Sequence, residues 1–203
     1  MSQPLEAWRG EFGKSYIERN GDKTIQSRAA MWERVLRDIT PGTILEVGAN
    51  IGLNIRALQK VTEARLLAVE PNNAARRILK TVTDGAYDGT ADKLWLADGT
   101  MNLVATCGVL IHIHPDGLAA ACAEMYRVSN RYIVCIEYFS DKPEEIEYWG
   151  RSGMLWKRDF GSFWMEQHPD LKLLDYGFFW RRATGLDNLT WWLWENETDC
   201  IFD

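Results

Sequence analysis

The residues best suited to do chemistry begin in the stretch LEVGANIGLN, residues 45–54, and continue at Glu70, 18 positions beyond Gly52. Gly48 and Gly52 let the backbone turn sharply and approach a ligand closely. Glu46, Gly48, Asn50 and Gly52 form the candidate binding loop, with the Asn50 side chain facing either solvent or the ligand. A dinucleotide fingerprint requires glycine at three positions, held here by Gly48, Asn50 and Leu53. Two of the three fail, so a nicotinamide dinucleotide is poorly matched. A carboxylate such as Glu70, followed by Pro71 and Asn72 at a strand end, can accept hydrogen bonds from both hydroxyls of a ribose. That suits an adenosine-containing ligand, the alternative being a solvated or helix-capping Glu.

Further along, His112 and His114 lie two positions apart near Asp116, so a strand would put both imidazoles on one face. Metal ligation by this trio would need strand geometry up to Pro115, and no metal is expected. His112 is the candidate general base, since an imidazole titrates near neutral pH. A structural cap for the next helix is the competing role. Glu137 and Tyr138 close another strand-like run, where Glu137 would orient or deprotonate an acceptor, or else make an ion pair. Residues 148–164 mix Tyr148, Trp149, Trp156, Phe160, Phe163 and Trp164 with Arg151, Lys157 and Arg158. Flat rings stack on sugars and the cations can hold an acid, so Tyr138, Arg151, Lys157 and Arg158 are the candidate acceptor contacts. The same aromatics would equally serve as core beneath a lid helix.

These groups need a scaffold, and the hydrophobic rhythm supplies one. Residues 43–47, 65–70 and 131–139 are short apolar runs that read as buried strands, and 101–113 holds a strand and its continuation. Helical spacing occupies 52–60, 72–82 (with Asn72 or Asn73 as cap) and 115–128, the last with Pro at its first turn. Apolar strands alternating with helices indicate a parallel sheet covered on both faces. Residues 171–180 and 189–195 are separated by too few residues for a crossover helix, so they pair antiparallel at the sheet edge. The run Trp191–Trp194 alternates faces and reads as packing. The first 40 residues read as helices over the top of the sheet.

Composition narrows the function classes. The 203 residues are 46% hydrophobic and 26% charged, the profile of a single globular domain. The formal net charge of −6 argues against a nucleic-acid partner. No apolar run reaches the length of a membrane span, and MSQPLEAWRG has no signal-peptide pattern, so the expected setting is the cytoplasm. Cys107, Cys122, Cys135 and Cys200 form no C-x-x-C pair and read as free thiols. The segment 183–203 carries five acids and no Lys or Arg, whereas 151–182 has six Lys/Arg against four acids.

The chain resembles the class I S-adenosylmethionine (SAM)-dependent methyltransferases. The matching pieces are LEVGANIGLN, AVEPN and GVLIHIHPDGL. It is similar in particular to the pseudaminic-acid-biosynthesis-associated methylases, through EFGKSYIERN, SNRYIVCIEYF, KRDFGSFW, LKLLDYGF and DNLTWWLWE in the same order. It departs from the wider class at Asn50, where a glycine is usual, and at Asn102, where an Asp is frequent. The resemblance implies a Rossmann-like domain spanning 1–203, with a seven-stranded, mostly parallel sheet and an antiparallel edge strand. Its parts would be a helical lid (1–40), a SAM-binding core (41–139), an acceptor insertion (140–170) and edge strands (171–203). It implies that Tyr16 and Arg19 fold over SAM, Arg19 pairing with the methionyl carboxylate. It implies an adenine contact after the third strand, placed at Asp84, Gly85 and Ala86 with Asp88 as the rival, and a place for Cys107 beside the cofactor. The implied acceptor is a small molecule, a pseudaminic-type acidic sugar or its nucleotide-activated precursor, methylated at O or N. Carboxyl or N-methylation of another metabolite, and non-catalytic SAM binding, are the alternatives; the oligomeric state is open.

Overall fold

A computed structural model describes residues 3–19 and 24–196. Three helices, α1 (Gln3–Arg9), α2 (Glu11–Arg19) and α3 (Ile25–Val35), precede the sheet. Then β1 (Thr43–Val47), α4 (Leu53–Leu58), β2 (Arg65–Val69), α5 (Asn73–Leu79) and β3 (Ala86–Tyr87) alternate. They are followed by β4 (Met101–Cys107), a 3-10 turn (Leu110–His112), α6 (Pro115–Val128) and β5 (Ser129–Glu137). The remainder is β6 (Glu144–Tyr148), β7 (Arg151–Lys157), α7 (Phe160–Gln167), β8 (Leu171–Phe179), α8 (Arg181–Thr184) and β9 (Leu189–Asn196).

Seven strands form one sheet in the order β3-β2-β1-β4-β5-β9-β8. The first five are mutually parallel, and β9 runs antiparallel to both β5 and β8. The order reverses between β1 and β4, so their carboxyl ends diverge into the crevice where open α/β sheets take ligands. Strand β1 is buried on both faces because helices cover both. Trp32, Val35 and Leu58 pack on one side against Ile44, Leu103 and Trp191. Leu118, Met125, Phe160 and Trp164 pack on the other against Val104, Ile133 and Trp194. The Trp191–Trp194 run divides between these two cores, which fulfils the packing expectation.

Two local features differ from the sequence expectation. Of the strand and continuation expected within 101–113, the strand stops at Cys107, because Gly108 takes a positive φ of 68° and the chain enters the 3-10 turn. The aromatic-basic segment begins as a two-stranded hairpin, β6–β7, separate from the main sheet. No helix of the described residues is long and apolar enough to cross a membrane.

Candidate functional site

The loop between β1 and α4 is shaped by backbone bonds that only glycines at its two ends permit. The Gly48 and Ala49 amides donate to the Val69 carbonyl at 2.8 and 3.0 Å, tying the loop to the end of β2. Gly48 has φ +76°, and a Cβ there would lie 2.6 Å from a Val109 methyl. Gly52 has φ +83°, and its Cβ would meet Leu79 at 2.8 Å. Asn50 also has a positive φ, 49°, a region Asn tolerates better than most side chains. Its Oδ1 accepts from the Ile51 amide at 2.8 Å, so the side chain is folded into its own turn.

Two carboxylates border this loop. Glu70, 6% exposed, accepts from the Asn50 amide at 2.8 Å through one oxygen and from the Asn72 amide at 2.6 Å through the other. Burial pushes its carboxyl up to about 7, against the pull of those amides and of Arg76. Glu46, 2% exposed, accepts from Asn54 Nδ2 at 2.6 Å through Oε1, while its Oε2 is buried without a partner. Burial lifts this group to about 7 as well. The Asn54 Oδ1 in turn accepts from Arg28 Nη1 at 2.7 Å. Glu46, Glu70, Asn54 and Arg28 all line one cavity of about 530 Å³, within the ordinary size of a small-molecule site.

The arrangement fits the adenosine cofactor that the sequence resemblance implies. Each Glu70 oxygen has a further lone pair for a ribose hydroxyl. The orphaned Glu46 oxygen asks for a donor such as an ammonium, and Arg28 offers a guanidinium to a carboxylate. Sequence reasoning missed Arg28 and Asn54. Asn54 stands inside the LEVGANIGLN stretch, eight positions after Glu46, and that spacing was the available signal. Arg28, on a separate helix, had none.

The structure gathers part of the remaining set. Tyr16, Pro71, Asn72 and Cys107 line the cavity. The Cys107 thiol is pushed up to about 11 by burial, so it is an uncharged wall at neutral pH. The side chain of Arg19 lies outside the described residues, as does Cys200. The adenine-side assignment needs correction. Asp84 and Gly85 stand before β3, at the amino-terminal end of the sheet, and Ala86 pairs with Ala68 inside it. Residues 89–92 line the cavity instead, with Asp92 as the acid; the rival Asp88 is paired with Arg76 at 3.0 Å. Asn102 is likewise remote: its Oδ1 ties the Gly42 and Thr43 amides at the start of β1.

His112 lines the cavity at the end of the 3-10 turn. Its Nδ1 stands 2.7 Å from the Met154 carbonyl of β7, an oxygen that can only accept, so Nδ1 carries the proton and Nε2 a lone pair. Burial depresses the imidazole to about 4, which keeps it neutral at pH 7. His114 does not share its task. It caps α6 by accepting from the Asp116 amide, and among the described residues no group of three or more His, Cys, Asp or Glu gathers to hold a metal.

Glu137 is also reassigned. It is fully buried, does not line the cavity, and accepts from the Val109 and Leu110 amides at 3.0 Å each. A carboxylate spent on that turn cannot reach an acceptor; it holds the segment that presents His112. The candidate acceptor contacts move off the cavity too. Tyr138 donates to Asp187 at 2.8 Å, and Lys157 lies over the Tyr138 ring. Arg158 stacks on Phe163 at 4.1 Å, and Arg151 sits over Phe12 at 5.2 Å. In each case an aromatic face captures the cation on the flank of the hairpin or α7.

Residues 45–131 match the family model described as "Methyltransferase domain". Among curated proteins, none matches the chain in sequence. Solved structures match its fold. The Burkholderia thailandensis 1,6-didemethyltoxoflavin-N1-methyltransferase, with bound 1,6-didemethyltoxoflavin and S-adenosylhomocysteine, is 15% identical with a TM-score of 0.71, covering 96% of this chain and 91% of its own. The magnesium protoporphyrin IX methyltransferase of Synechocystis PCC 6803, with bound SAM, is 10% identical with a TM-score of 0.67, covering 96% and 98%. A SAM-dependent methyltransferase of Leishmania major is 15% identical with a TM-score of 0.71, covering 96% and 87%.

Proposed function

From the premise that residues 45–131 are a methyltransferase domain, on the class I fold and with SAM as its cofactor, we propose that this chain methylates a small molecule at oxygen or nitrogen. When bound, SAM supplies a sulfonium methyl group open to in-line displacement. Glu70 takes the ribose hydroxyls, residues 89–92 flank the adenine, and the free oxygen of Glu46 takes the methionyl ammonium. Arg28, steadied by Asn54, faces the methionyl carboxylate. His112 meets the proton of the acceptor.

The observation that carries the reading is the His112 ring. Its Nδ1 is committed to the Met154 carbonyl, so its basic nitrogen is Nε2, in a residue that lines the cofactor cavity. A neutral imidazole orients an O–H or N–H donor in the ground state. With its low basicity it hands any captured proton on to solvent rather than storing it. An acidic sugar, the acceptor implied by the sequence resemblance, is the narrower version of this proposal. It would have to draw its counter-charge from Arg28, the residue already assigned to the cofactor.

Calorimetric titration with SAM and S-adenosylhomocysteine tests the proposal. Micromolar binding is expected for the wild type and its loss for Glu70→Ala. His112→Ala should retain the cofactor affinity and lose about 100-fold in methyl transfer. Absence of binding to the wild type would overturn the enzymatic reading, and full turnover by His112→Ala would remove His112 from the chemistry.

A further inference from the structure

The end of the cavity that holds His112 is bounded by a continuous aromatic wall. Trp8 of α1 lies against the His112 ring, centroids 4.6 Å apart and planes at 58°. His112 lies against Tyr148 of the hairpin at 5.1 Å. Trp8 also meets Tyr16 edge-on at 5.2 Å and Phe12 at 5.1 Å. Trp8, Tyr16 and His112 line the cavity, with Leu5 and Ile113 as aliphatic neighbours.

The cavity lining offers little positive charge to an anionic acceptor. Asp116 stands nearest His112 in the chain, and Asp92, Glu46 and Glu70 are the other acids that line the space. Among the described residues that line it, Arg28 is the one Lys or Arg, and it is bonded to Asn54 and to Thr24. Arg151, Lys157 and Arg158 are stacked on rings away from the lining. An anionic acceptor would be desolvated there without a free counter-ion, which is costly. A flat uncharged ring incurs no such cost and gains area against Trp8 and Tyr16. Its O–H or N–H then finds in His112 Nε2 a site that can only accept.

We propose that the acceptor is a flat, uncharged aromatic or heteroaromatic molecule bearing an O–H or ring N–H, with Trp8 as the wall that selects it. The inference rests on the methyltransferase reading above and names the substrate class of that same site. Three probes are titrated into the full chain at saturating S-adenosylhomocysteine, pH 7, and followed by calorimetry: 2-naphthol, lumazine and N-acetylneuraminate. At least one of the two flat probes binds, and the acidic sugar gives no heat. Trp8→Ala weakens the flat probe by about tenfold or more and leaves the S-adenosylhomocysteine affinity within about threefold. If Trp8→Ala does not fold, Trp8→Phe should keep the flat probe within about threefold and Trp8→Leu should lose it, because planarity is what the wall provides. Binding of N-acetylneuraminate, failure of both flat probes, or equal binding to the Trp8→Ala and wild-type proteins would each overturn the inference while the methyltransferase reading stands. Failure to bind S-adenosylhomocysteine at all would bring down both.

Discussion

At the residue scale, the site depends on carboxylates held near the midpoint of their titration. Glu46 and Glu70 are buried deeply enough to be lifted to about 7, and both line the cavity. On the proposed reading a ribose or an ammonium bonds the charged form more strongly than the neutral one, so binding pulls these groups toward ionisation. The sign follows: cofactor affinity rises as pH climbs through 7 and falls below it. The S-adenosylhomocysteine dissociation constant should be about tenfold or more higher at pH 6 than at pH 8. Titrations at both pH values check this; equal affinities would mean that neither carboxylate faces the ligand. Glu70→Gln, which retains one acceptor oxygen but has no titration, should remove about half of the dependence on a logarithmic scale and leave the share of Glu46.

At the scale of elements, Asn72 joins three pieces of the fold. Its Oδ1 caps α5 by accepting from the Ala74 and Ala75 amides at 2.9 and 3.1 Å. Its Nδ2 donates to the carbonyl of Trp8, the last-but-one residue of α1, at 2.7 Å. Its own amide donates to Glu70. The cap of one helix thereby anchors the amino-terminal helices beside the Glu70 carboxylate. Asn72→Ala should cost about 1 kcal/mol for the lost cap and more for the stranded carbonyl. It should also speed release of S-adenosylhomocysteine by roughly tenfold, since about 1.4 kcal/mol corresponds to a factor of ten. Asn72→Asp keeps the cap acceptor but not the donor, so it should retain α5 and still release faster. Stopped-flow release rates decide the matter, and unchanged rates in both variants would detach the helices from cofactor retention. Glu137 works at this scale as well, because its carboxylate organises the turn rather than the chemistry.

For the whole molecule, the buried ionisable groups set how stability responds to pH. Glu46, Glu70 and Glu137 each have a folded value of about 7 against an ordinary 4.5. Between those limits the folded state holds more protons than the unfolded chain. Their contribution is therefore present at low pH and lost as pH rises through 7. His112, depressed to about 4, and His168, lowered by burial, act oppositely, but chiefly below the ordinary histidine value of 6.5. Between pH 6.5 and 8 the three carboxylates outweigh the fading opposition of the histidines, so Tm should fall across that interval by a few degrees. Saturating S-adenosylhomocysteine should shrink the fall, because the proposed contacts favour the ionised forms of Glu46 and Glu70. Scanning calorimetry across the interval checks it; a Tm that rises with pH would contradict the burial of these groups.

What the sequence determined by itself was whatever the chain keeps contiguous. The strand 43–47, the glycine turn and the helix that follows are neighbours in order, so the loop, Glu70 at the end of the next strand and the alternation of a covered parallel sheet were all legible. A cap at Asn72 or Asn73 was readable for the same reason, and the structure decides for Asn72. Tertiary structure decided everything that depends on which distant segments meet. Arg28 reaches Asn54 only because α3 packs on α4. His112 has a defined tautomer only because a hairpin 42 residues later places a carbonyl against it. Asp84 falls at the wrong end of the sheet because the two residues of β3 take their register from Ala68 and Val69, not from local pattern. Glu137 and the basic residues of the hairpin had suitable types at strand tips and edges. Burial against the 109–111 turn turned the first inward, and aromatic faces drew the others off the cavity. Hydrogen-bond register and side-chain capture are non-local, and a pattern of residue types along one chain does not contain them.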